Sequence, residues 1–158
     1  MSTETELKLR IHAQDAEKLA QHPLLQTAFH THPPQHLYST DFDTQEQTLL
    51  QQGVGLRVRH IGDKRVQTLK TAGSGLGGLH QRQEWETEIT GEIPQYDQFP
   101  AGALPQWCAD PNNLVQIKPL FVTDFMRTTW HLVLNKSEIE VALDQGEVKT
   151  STAAHPLS

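Results

Sequence analysis

Polar and apolar residues alternate along much of this chain. In the first such segment, residues 3–12, positions 4, 6, 8 and 10 are charged while positions 7, 9 and 11 are leucine or isoleucine. Segments 54–61, 65–71 and 80–90 show a similar alternation. Because successive side chains of a β-strand point to opposite faces, each segment predicts a strand with one apolar and one polar face.

Three more segments extend the β prediction. Residues 37–43 predict a short strand, residues 121–134 a long one, and residues 137–144 a strand that ends in a turn at 144–146. Short connections join most of these strands as hairpins. The pattern therefore predicts an α+β fold: an antiparallel sheet or β-barrel of about seven to eight strands with a few short flanking helices.

Helices and loops are predicted where the alternation stops. Apolar residues recur at roughly helical spacing over residues 15–29, where Pro23 is expected to interrupt the helix. Thr44 and Gln47 have the spacing of a capping box, which predicts a short helix that stops near Gly53. Loops are predicted at residues 30–35, 73–78 and 94–113. We expect the last, with its four prolines, to be a surface excursion with little regular structure.

Most aromatic and histidine residues are expected to be structural. The tryptophans are expected to pack the apolar core on the outside of the sheet: Trp85, Trp107 and Trp130. Three of the nine histidines fall within or just after the predicted proline-rich loop: His30, His32 and His36. Their spacing does not match a helical zinc motif, so a zinc site is not favoured.

Five predicted strands collect acids and bases on their polar face. The residues are Glu4, Glu6, Lys8 and Arg10; Arg57 and Arg59; Lys70; Arg82, Glu84, Glu86 and Glu88; and Glu138, Glu140 and Asp144. For one strand alone, a solvated sheet face is the ordinary explanation. The repetition on successive strands instead favours a sheet that closes around this face, so that the charges line a lumen.

A lumen crowded with like charges needs counter-ions. Two unit charges about 4 Å apart interact by about 4 kcal/mol at an effective dielectric near 20. Divalent cations would balance the carboxylates, and a polyanion would balance the arginines and lysines. A triphosphate that carries Mg²⁺ or Mn²⁺ supplies both, so the predicted partner is a small polyanion.

Composition narrows the classes of function. The 158 residues predict one domain, 1–158. The net charge of −6 argues against nucleic acid as the main partner, because a phosphate backbone needs a basic stripe. The chain has no apolar run long enough for a membrane span and no secretory pattern at its amino terminus. The one cysteine, Cys108, can form no intrachain disulfide, which favours the cytoplasm, and we expect it to be packed rather than nucleophilic.

Short motifs follow one another through nearly the whole chain. They are Glu4-x-Glu6-x-Lys8, Tyr38 with DFDT at 41–44, Leu56-Arg57-Val58-Arg59, Thr68-Leu69-Lys70, Arg82-x-Glu84-x-Glu86, Phe125-x-Arg127, and Glu140 with Leu143-Asp144-x-Gly146. In type and order they resemble the CYTH domain, the superfamily of triphosphate tunnel metalloenzymes. Stretches 77–82, 119–125 and 142–148 look especially like bacterial inorganic triphosphatases.

The resemblance implies a triphosphate tunnel and a role for each matching residue. The implied ligands of Mg²⁺ or Mn²⁺ are Glu4, Glu6, Glu84, Glu86, Glu140 and Asp144. The implied phosphate-binding residues are Lys8, Arg57, Arg59, Lys70, Arg82 and Arg127, of which Lys8, Arg59 and Lys70 would be catalytic. The implied reaction is metal-dependent hydrolysis of inorganic triphosphate to pyrophosphate and phosphate, without a covalent nucleophile.

The resemblance also leaves alternatives open. The superfamily includes thiamine triphosphatases and class IV adenylyl cyclases, and a nucleoside triphosphate is a further candidate substrate. A non-catalytic polyphosphate-binding module and a structural scaffold belong to other classes of function, and a homodimer is left open. Family members end with another glutamate-bearing strand, which we expect to be missing here, so that part of the metal shell would be absent.

Overall fold

The fold is seen in a computed structural model that describes residues 2–71, 79–150 and 154–156, with side chains described for 5–71, 82–150 and 154. The predicted glycine-rich loop 73–78 lies outside these ranges. The described residues form one sheet of eight strands. The strands are β1 (Ser2–Leu7), β2 (His30–Asp43), β3 (Val54–Ile61), β4 (Lys64–Thr71), β5 (Leu79–Ile89), β6 (Lys118–Leu134), β7 (Ser137–Lys149) and β8 (Ala154–Pro156).

The sheet is antiparallel throughout, in agreement with the predicted α+β class. Its spatial order is β1-β5-β4-β3-β2-β6-β7-β8, and every neighbouring pair is antiparallel. Within the described ranges, no ladder joins β1 to the opposite edge of the sheet. We expected the chain to stop before a further strand began, but β8 begins at Ala154 and pairs with β7 over three residues.

The helices are short and lie between strands. They are α1 (Ala16–Ala20), α2 (Thr48–Gln51) and α3 (Pro111–Leu114), with 3₁₀ turns at Ala13–Asp15, Leu25–Thr27, Tyr96–Gln98 and Gln106–Ala109. The helix predicted over residues 15–29 ends at Ala20, and Pro23 separates it from the following turn, as expected. No helix in the described part of the chain is long and apolar enough to cross a membrane.

Two apolar clusters cover one face of the sheet. In the larger, Leu56 and Leu69 are almost fully buried as cross-strand partners, and Trp85 packs beside them. The smaller cluster forms around Trp130 and Leu132, under the segment that contains α1. The expected placement of the tryptophans is confirmed, since Trp107 packs on the larger cluster as well.

The proline-rich segment 94–113 is more regular than predicted, because it contains two 3₁₀ turns and the start of α3, and it is more than a surface excursion. Its residues Phe99, Ala103 and Cys108 are buried in the larger cluster. Burial also raises the pKa of the Cys108 thiol, which agrees with a packed rather than a reactive cysteine. This segment therefore packs over the apolar face of the sheet and shields Leu56 and Leu69 from solvent.

Three local predictions about strand ends were wrong. Residues 30–35 are part of β2 rather than a loop, because a bulge between His32 and Gln35 accommodates the two prolines. The predicted turn at 144–146 does not form, and β7 continues to Lys149. The first strand, predicted over residues 3–12, ends at Leu7.

The predicted capping box also forms differently. The α2 helix begins at Thr48, one residue after Gln47, which adopts a left-handed backbone (φ 62°). Thr44 Oγ1 accepts a hydrogen bond from the Thr48 backbone N–H at 2.9 Å. Asp43 Oδ1 accepts one from the Leu49 backbone N–H at 2.9 Å. Asp43 and Thr44 together therefore start this helix, in place of a reciprocal Thr44–Gln47 pair.

Candidate functional site

The face of the sheet opposite the two apolar clusters carries the predicted charges, and we call it the charged face. Cross-strand partners point to the same side, so the register identifies its members. One row runs Asp41, Arg57, Thr68, Glu86. Other rows pair Lys70 with Glu84, Arg127 with Asp144, and the backbone position of Glu4 with Arg82. The strands therefore bring together the acids and bases that alternation had assigned to one side.

The sheet is curled around the charged face. β1 and β6 are five strand spacings apart in the ladder, which is roughly 24 Å in a flat sheet. Nevertheless, the charge of Glu6 on β1 helps to raise the pKa of Arg127 on β6, after the larger effects of Asp144 and Glu140. Such coupling would be screened across 24 Å of solvent, which indicates that β1 curves toward β6 over the charged face.

Arg127 is held by a two-point ion pair. Its Nε donates to Asp144 Oδ1 at 2.7 Å, and its Nη2 donates to Asp144 Oδ2 at 2.9 Å. These hydrogen bonds are the main reason that the pKa of Arg127 is raised above its ordinary value. Asp144 therefore orients a predicted phosphate-binding side chain, and its predicted role as a metal ligand stays a prediction.

Arg59 lies deeper in the same face. Its Nε donates to the hydroxyl of the fully buried Ser39 at 2.7 Å, which fixes one edge of the guanidinium. Burial, together with the nearby charges of Arg57 and Arg127, lowers the pKa of Arg59 to about 10, although Asp144 and Asp41 act in the opposite direction. Arg59 still carries its charge at neutral pH, so the face keeps several cations close together.

Glu6 lies between two cations near the end of the charged face. Its Oε1 is 3.5 Å from Lys8 Nζ and 3.8 Å from Arg82 Nη2, distances of ion pairs rather than of short hydrogen bonds. Lys8 follows the last residue of β1 and is exposed. The carboxylate of Glu6 therefore lies close to two basic side chains, Lys8 just after β1 and Arg82 on β5.

Three buried polar atoms of this face have no hydrogen-bond partner within the described part of the chain. They are Glu6 Oε1, Arg57 Nε and Arg82 Nε. A buried donor or acceptor left unsatisfied costs about 1–3 kcal/mol, so such atoms call for an additional partner. Phosphate oxygens would satisfy the two guanidinium donors, and a cation would satisfy the carboxylate oxygen. The two guanidinium groups and the carboxylate thus fit a metal-bound polyphosphate.

The structure does not by itself assemble the predicted metal shell. Among the residues that it describes, no three His, Cys, Asp or Glu side chains are arranged to hold an ion. The Glu4 side chain lies outside the described part. Glu84, Glu86 and Glu140 take register positions on the charged face, and their metal roles stay predictions.

Asp41 is a member of the charged face that the sequence pattern did not indicate. Asp41 pairs in register with Arg57 and lies on the charged face. Burial raises its pKa above the ordinary value, while the charges of Arg57, Arg59 and Lys8 act in the opposite direction. Residues 37–43 also alternate, but a short strand with two acids and no basic residue did not resemble the strongly charged strands.

The three histidines that lie close together in the sequence, His30, His32 and His36, are separated in the fold. The rings of His30 and His32 lie next to that of His131 on β6. The centroids of His30 and His32 are 4.4 Å apart, and they lie 5.7 and 5.5 Å, respectively, from the centroid of His131. His36 instead contacts Asp124 on the other side of the sheet. Because the bulge in β2 separates these groups, the three histidines considered together in the sequence do not form one cluster.

The fold and the charged face together define a class: an antiparallel β-domain in which acids and arginines interleave on one face of the sheet. The family model described as the CYTH domain matches residues 2–153. The chain therefore belongs to the CYTH domain family, and the resemblance in its motifs is confirmed.

Comparisons with individual proteins agree with this family. An inorganic triphosphatase of Haemophilus influenzae (strain ATCC 51907 / DSM 11121 / KW20 / Rd) is 34% identical over 163 residues. The match covers 100% of this chain and 44% of that protein, so the chain spans less than half of its relative's length.

The solved structures extend the fold comparison. HpAC1 from Hippeastrum, an adenylyl cyclase candidate with a dominant triphosphatase activity, superposes with a TM-score of 0.53 at 18% identity, over 96% of this chain and 74% of its own. An adenylate cyclase candidate from Vibrio parahaemolyticus gives a TM-score of 0.42 at 12% identity, over 89% and 67%. The HpAC1 likeness confirms the predicted tunnel-type fold.

Proposed function

We propose that this domain hydrolyses inorganic triphosphate to pyrophosphate and phosphate in a metal-dependent reaction. The observation that carries the proposal is the charged face itself, where Glu6 Oε1 and the Nε atoms of Arg57 and Arg82 are buried and accept or donate no hydrogen bond within the described residues. A metal-bound triphosphate supplies the missing partners of both kinds. The 34% identity of the whole chain to an inorganic triphosphatase supports the same substrate.

The proposed division of labour follows the charge of each side chain. The phosphate-binding residues are Lys8, Arg57, Arg59, Lys70, Arg82 and Arg127, with Lys8, Arg59 and Lys70 closest to the chemistry. The proposed ligands of Mg²⁺ or Mn²⁺ are Glu4, Glu6, Glu84, Glu86, Glu140 and Asp144. A bound metal would neutralise phosphate charge and orient water for attack.

The side chains of this protein contribute mainly by positioning. Phosphoryl transfer needs little covalent chemistry from a protein, because charge stabilisation and alignment supply most of the catalysis. Ser39 fixes one edge of the Arg59 guanidinium, and Asp144 fixes Arg127. Both guanidinium groups are therefore oriented before substrate arrives, which reduces the entropy lost on binding.

A substrate comparison tests the proposal. Phosphate release would be measured with tripolyphosphate, thiamine triphosphate and ATP, each with Mg²⁺ and with Mn²⁺. We expect turnover of tripolyphosphate to exceed that of the other two. Faster turnover of thiamine triphosphate or ATP would show that the proposed substrate is wrong. Tight binding of tripolyphosphate without phosphate release would indicate a polyphosphate-binding module.

A charge-neutral substitution tests the role of Glu6. We expect Glu6→Gln to reduce metal-dependent turnover by about a hundredfold or more, since the proposed metal loses a charged ligand. The unfolding midpoint should stay close to that of the unmodified protein. The matched control is Glu46→Gln, at an exposed position outside the charged face. Full activity of Glu6→Gln would show that the metal assignment is wrong.

We further propose a cytoplasmic protein whose partner is a small polyanion rather than nucleic acid. The single cysteine, which is buried, supports a reducing compartment. The cations gather on one face of a protein with a net charge of −6, which suits a compact anion better than a duplex. Fractionation followed by immunodetection would test the compartment.

A further inference from the structure

Phe125 is an apolar residue in the middle of the charged face. It lies on β6, two residues before Arg127, and is only 6% exposed. Its cross-strand partners are the buried Leu37 on β2 and Gly146 on β7. A Cβ atom at Gly146 would come within 2.5 Å of the Cα and Cβ atoms of Phe125, so only glycine allows β7 to approach Phe125 this closely.

Two guanidinium groups lie over the ring of Phe125. Arg59 Cζ is 5.6 Å from the ring centroid, and Arg127 Cζ is 5.4 Å from it. Both distances fall within the range of a cation–π contact, in which the negative ring face attracts a cation. The two arginines come from β3 and β6, and β2 lies between those strands. The ring therefore connects side chains that no backbone ladder joins directly.

Bringing these two arginines together is electrostatically unfavourable. The charge of Arg127 is among the causes that lower the pKa of Arg59, after burial and Arg57. Each guanidinium also has an anchor of its own, Ser39 for Arg59 and Asp144 for Arg127. These anchors hold the Nε edges but do not bring the two groups to a common point. The shared contact that remains is the ring of Phe125.

We propose that Phe125 is a positioning residue whose ring face holds Arg59 and Arg127 next to each other, so that both can contact the same phosphate group of a bound triphosphate. The proposal rests on the triphosphatase function given above. An aliphatic residue would fill the same space but would lack the negative ring face. The aromatic ring, and not merely its volume, is thus the property required at this position.

The test compares an aliphatic and an aromatic replacement. Phe125→Leu removes the ring face and keeps an apolar side chain, whereas Phe125→Tyr keeps the ring. We expect Phe125→Leu to raise both the KM for tripolyphosphate and its Kd by roughly tenfold, with a smaller change in kcat. We expect Phe125→Tyr to stay within about threefold of the unmodified protein in both constants.

A second buried phenylalanine provides the matched control. Phe42 lies on β2 in the larger apolar cluster, on the opposite face of the sheet, and is 4% exposed. Phe42→Leu should lower the unfolding midpoint without raising KM or Kd. If Phe125→Leu does not fold, Phe125→Met offers a second aliphatic side chain of similar volume, and the same increases are expected.

The outcomes separate this inference from the proposed function. An unchanged KM and Kd in Phe125→Leu, with only a lower unfolding midpoint, would overturn the positioning role while leaving the triphosphatase function intact. Equal losses in Phe125→Leu and Phe125→Tyr would also overturn it. If the unmodified protein binds tripolyphosphate without turnover, the proposed reaction fails, but the comparison of Kd values still decides the role of Phe125.

Discussion

Asp41 is a carboxylate placed among cations that are proposed to bind phosphate. The charges of Arg57, Arg59 and Lys8 favour its ionised form, yet burial outweighs them and raises its pKa. A group whose pKa is higher in the folded state than in the unfolded chain favours folding most at low pH. That contribution is lost as the pH rises through the folded-state value. At neutral pH, the ionised Asp41 is therefore a cost to stability.

Replacing this acid by its amide should relieve the cost. We expect Asp41→Asn to raise the urea midpoint at pH 7, and the difference from the unmodified protein to shrink as the pH is lowered toward 4. Because a carboxylate also repels a bound triphosphate, the variant should bind tripolyphosphate more tightly. A lower midpoint at pH 7 would show that the attraction of Asp41 to the charges of Arg57, Arg59 and Lys8 outweighs the cost of its burial.

Gly146 decides how β6 and β7 approach each other. A Cβ at this position would lie 2.1 Å from the carbonyl oxygen of Asp124 and 2.5 Å from Phe125 Cα. Both atoms belong to the backbone of β6, which cannot move aside as a flexible side chain can. The glycine is therefore required by close packing within an extended strand, and this explains why a Gly that resembles a turn signal lies inside β7.

The corresponding substitution should be strongly destabilising. We expect Gly146→Ala to lower the free energy of unfolding by about 1–3 kcal/mol or more, as overpacking against a rigid neighbour does. Urea unfolding followed by circular dichroism would measure it. Gly55→Ala on β3 is the matched control, because a Cβ there meets no atom within 4 Å. Equal effects of the two variants would contradict the packing explanation.

At the scale of the whole molecule, the charged face is the proposed anion site, and we expect it to stabilise the fold when a polyanion is bound. Several of its guanidinium groups are half-buried, and the Nε atoms of Arg57 and Arg82 donate no hydrogen bond within the part of the chain that the structure describes. The curl of the sheet brings β1 and β6 close enough for Glu6 to influence Arg127. A ligand that contacts several strands across this curl should therefore hold the sheet together.

Thermal unfolding should show this linkage. At a concentration of about 100 times Kd, a ligand that binds only the folded state adds about 2.7 kcal/mol. For a chain of this size, that corresponds to a rise in Tm of roughly 5–10 °C. We expect such a rise with tripolyphosphate and Mn²⁺. Orthophosphate at equal ionic strength should give a much smaller one. No difference between the two would favour a solvated scaffold face.

Sequence patterns identified the strands best where charge and apolar residues alternate without interruption. Segment 54–61 was predicted with the bounds of β3, because Arg57 and Arg59 alternate with buried leucine and valine. The prediction failed at residues 30–35 and 144–146, where proline and glycine resemble loop signals. There, a bulge and a close strand approach accommodate the same residues inside strands. Local propensity was overridden by tertiary packing.

The alternation of side chains and the order of the motifs determined which face of each strand carries charge, and to which family the chain belongs. The fold alone decided which charges meet: Arg127 on Asp144, Glu6 near Arg82, and two arginines over Phe125. The reason is geometric. A period of two fixes the direction of a side chain within its own strand, whereas contacts between strands depend on register, bulges and the curl of the sheet.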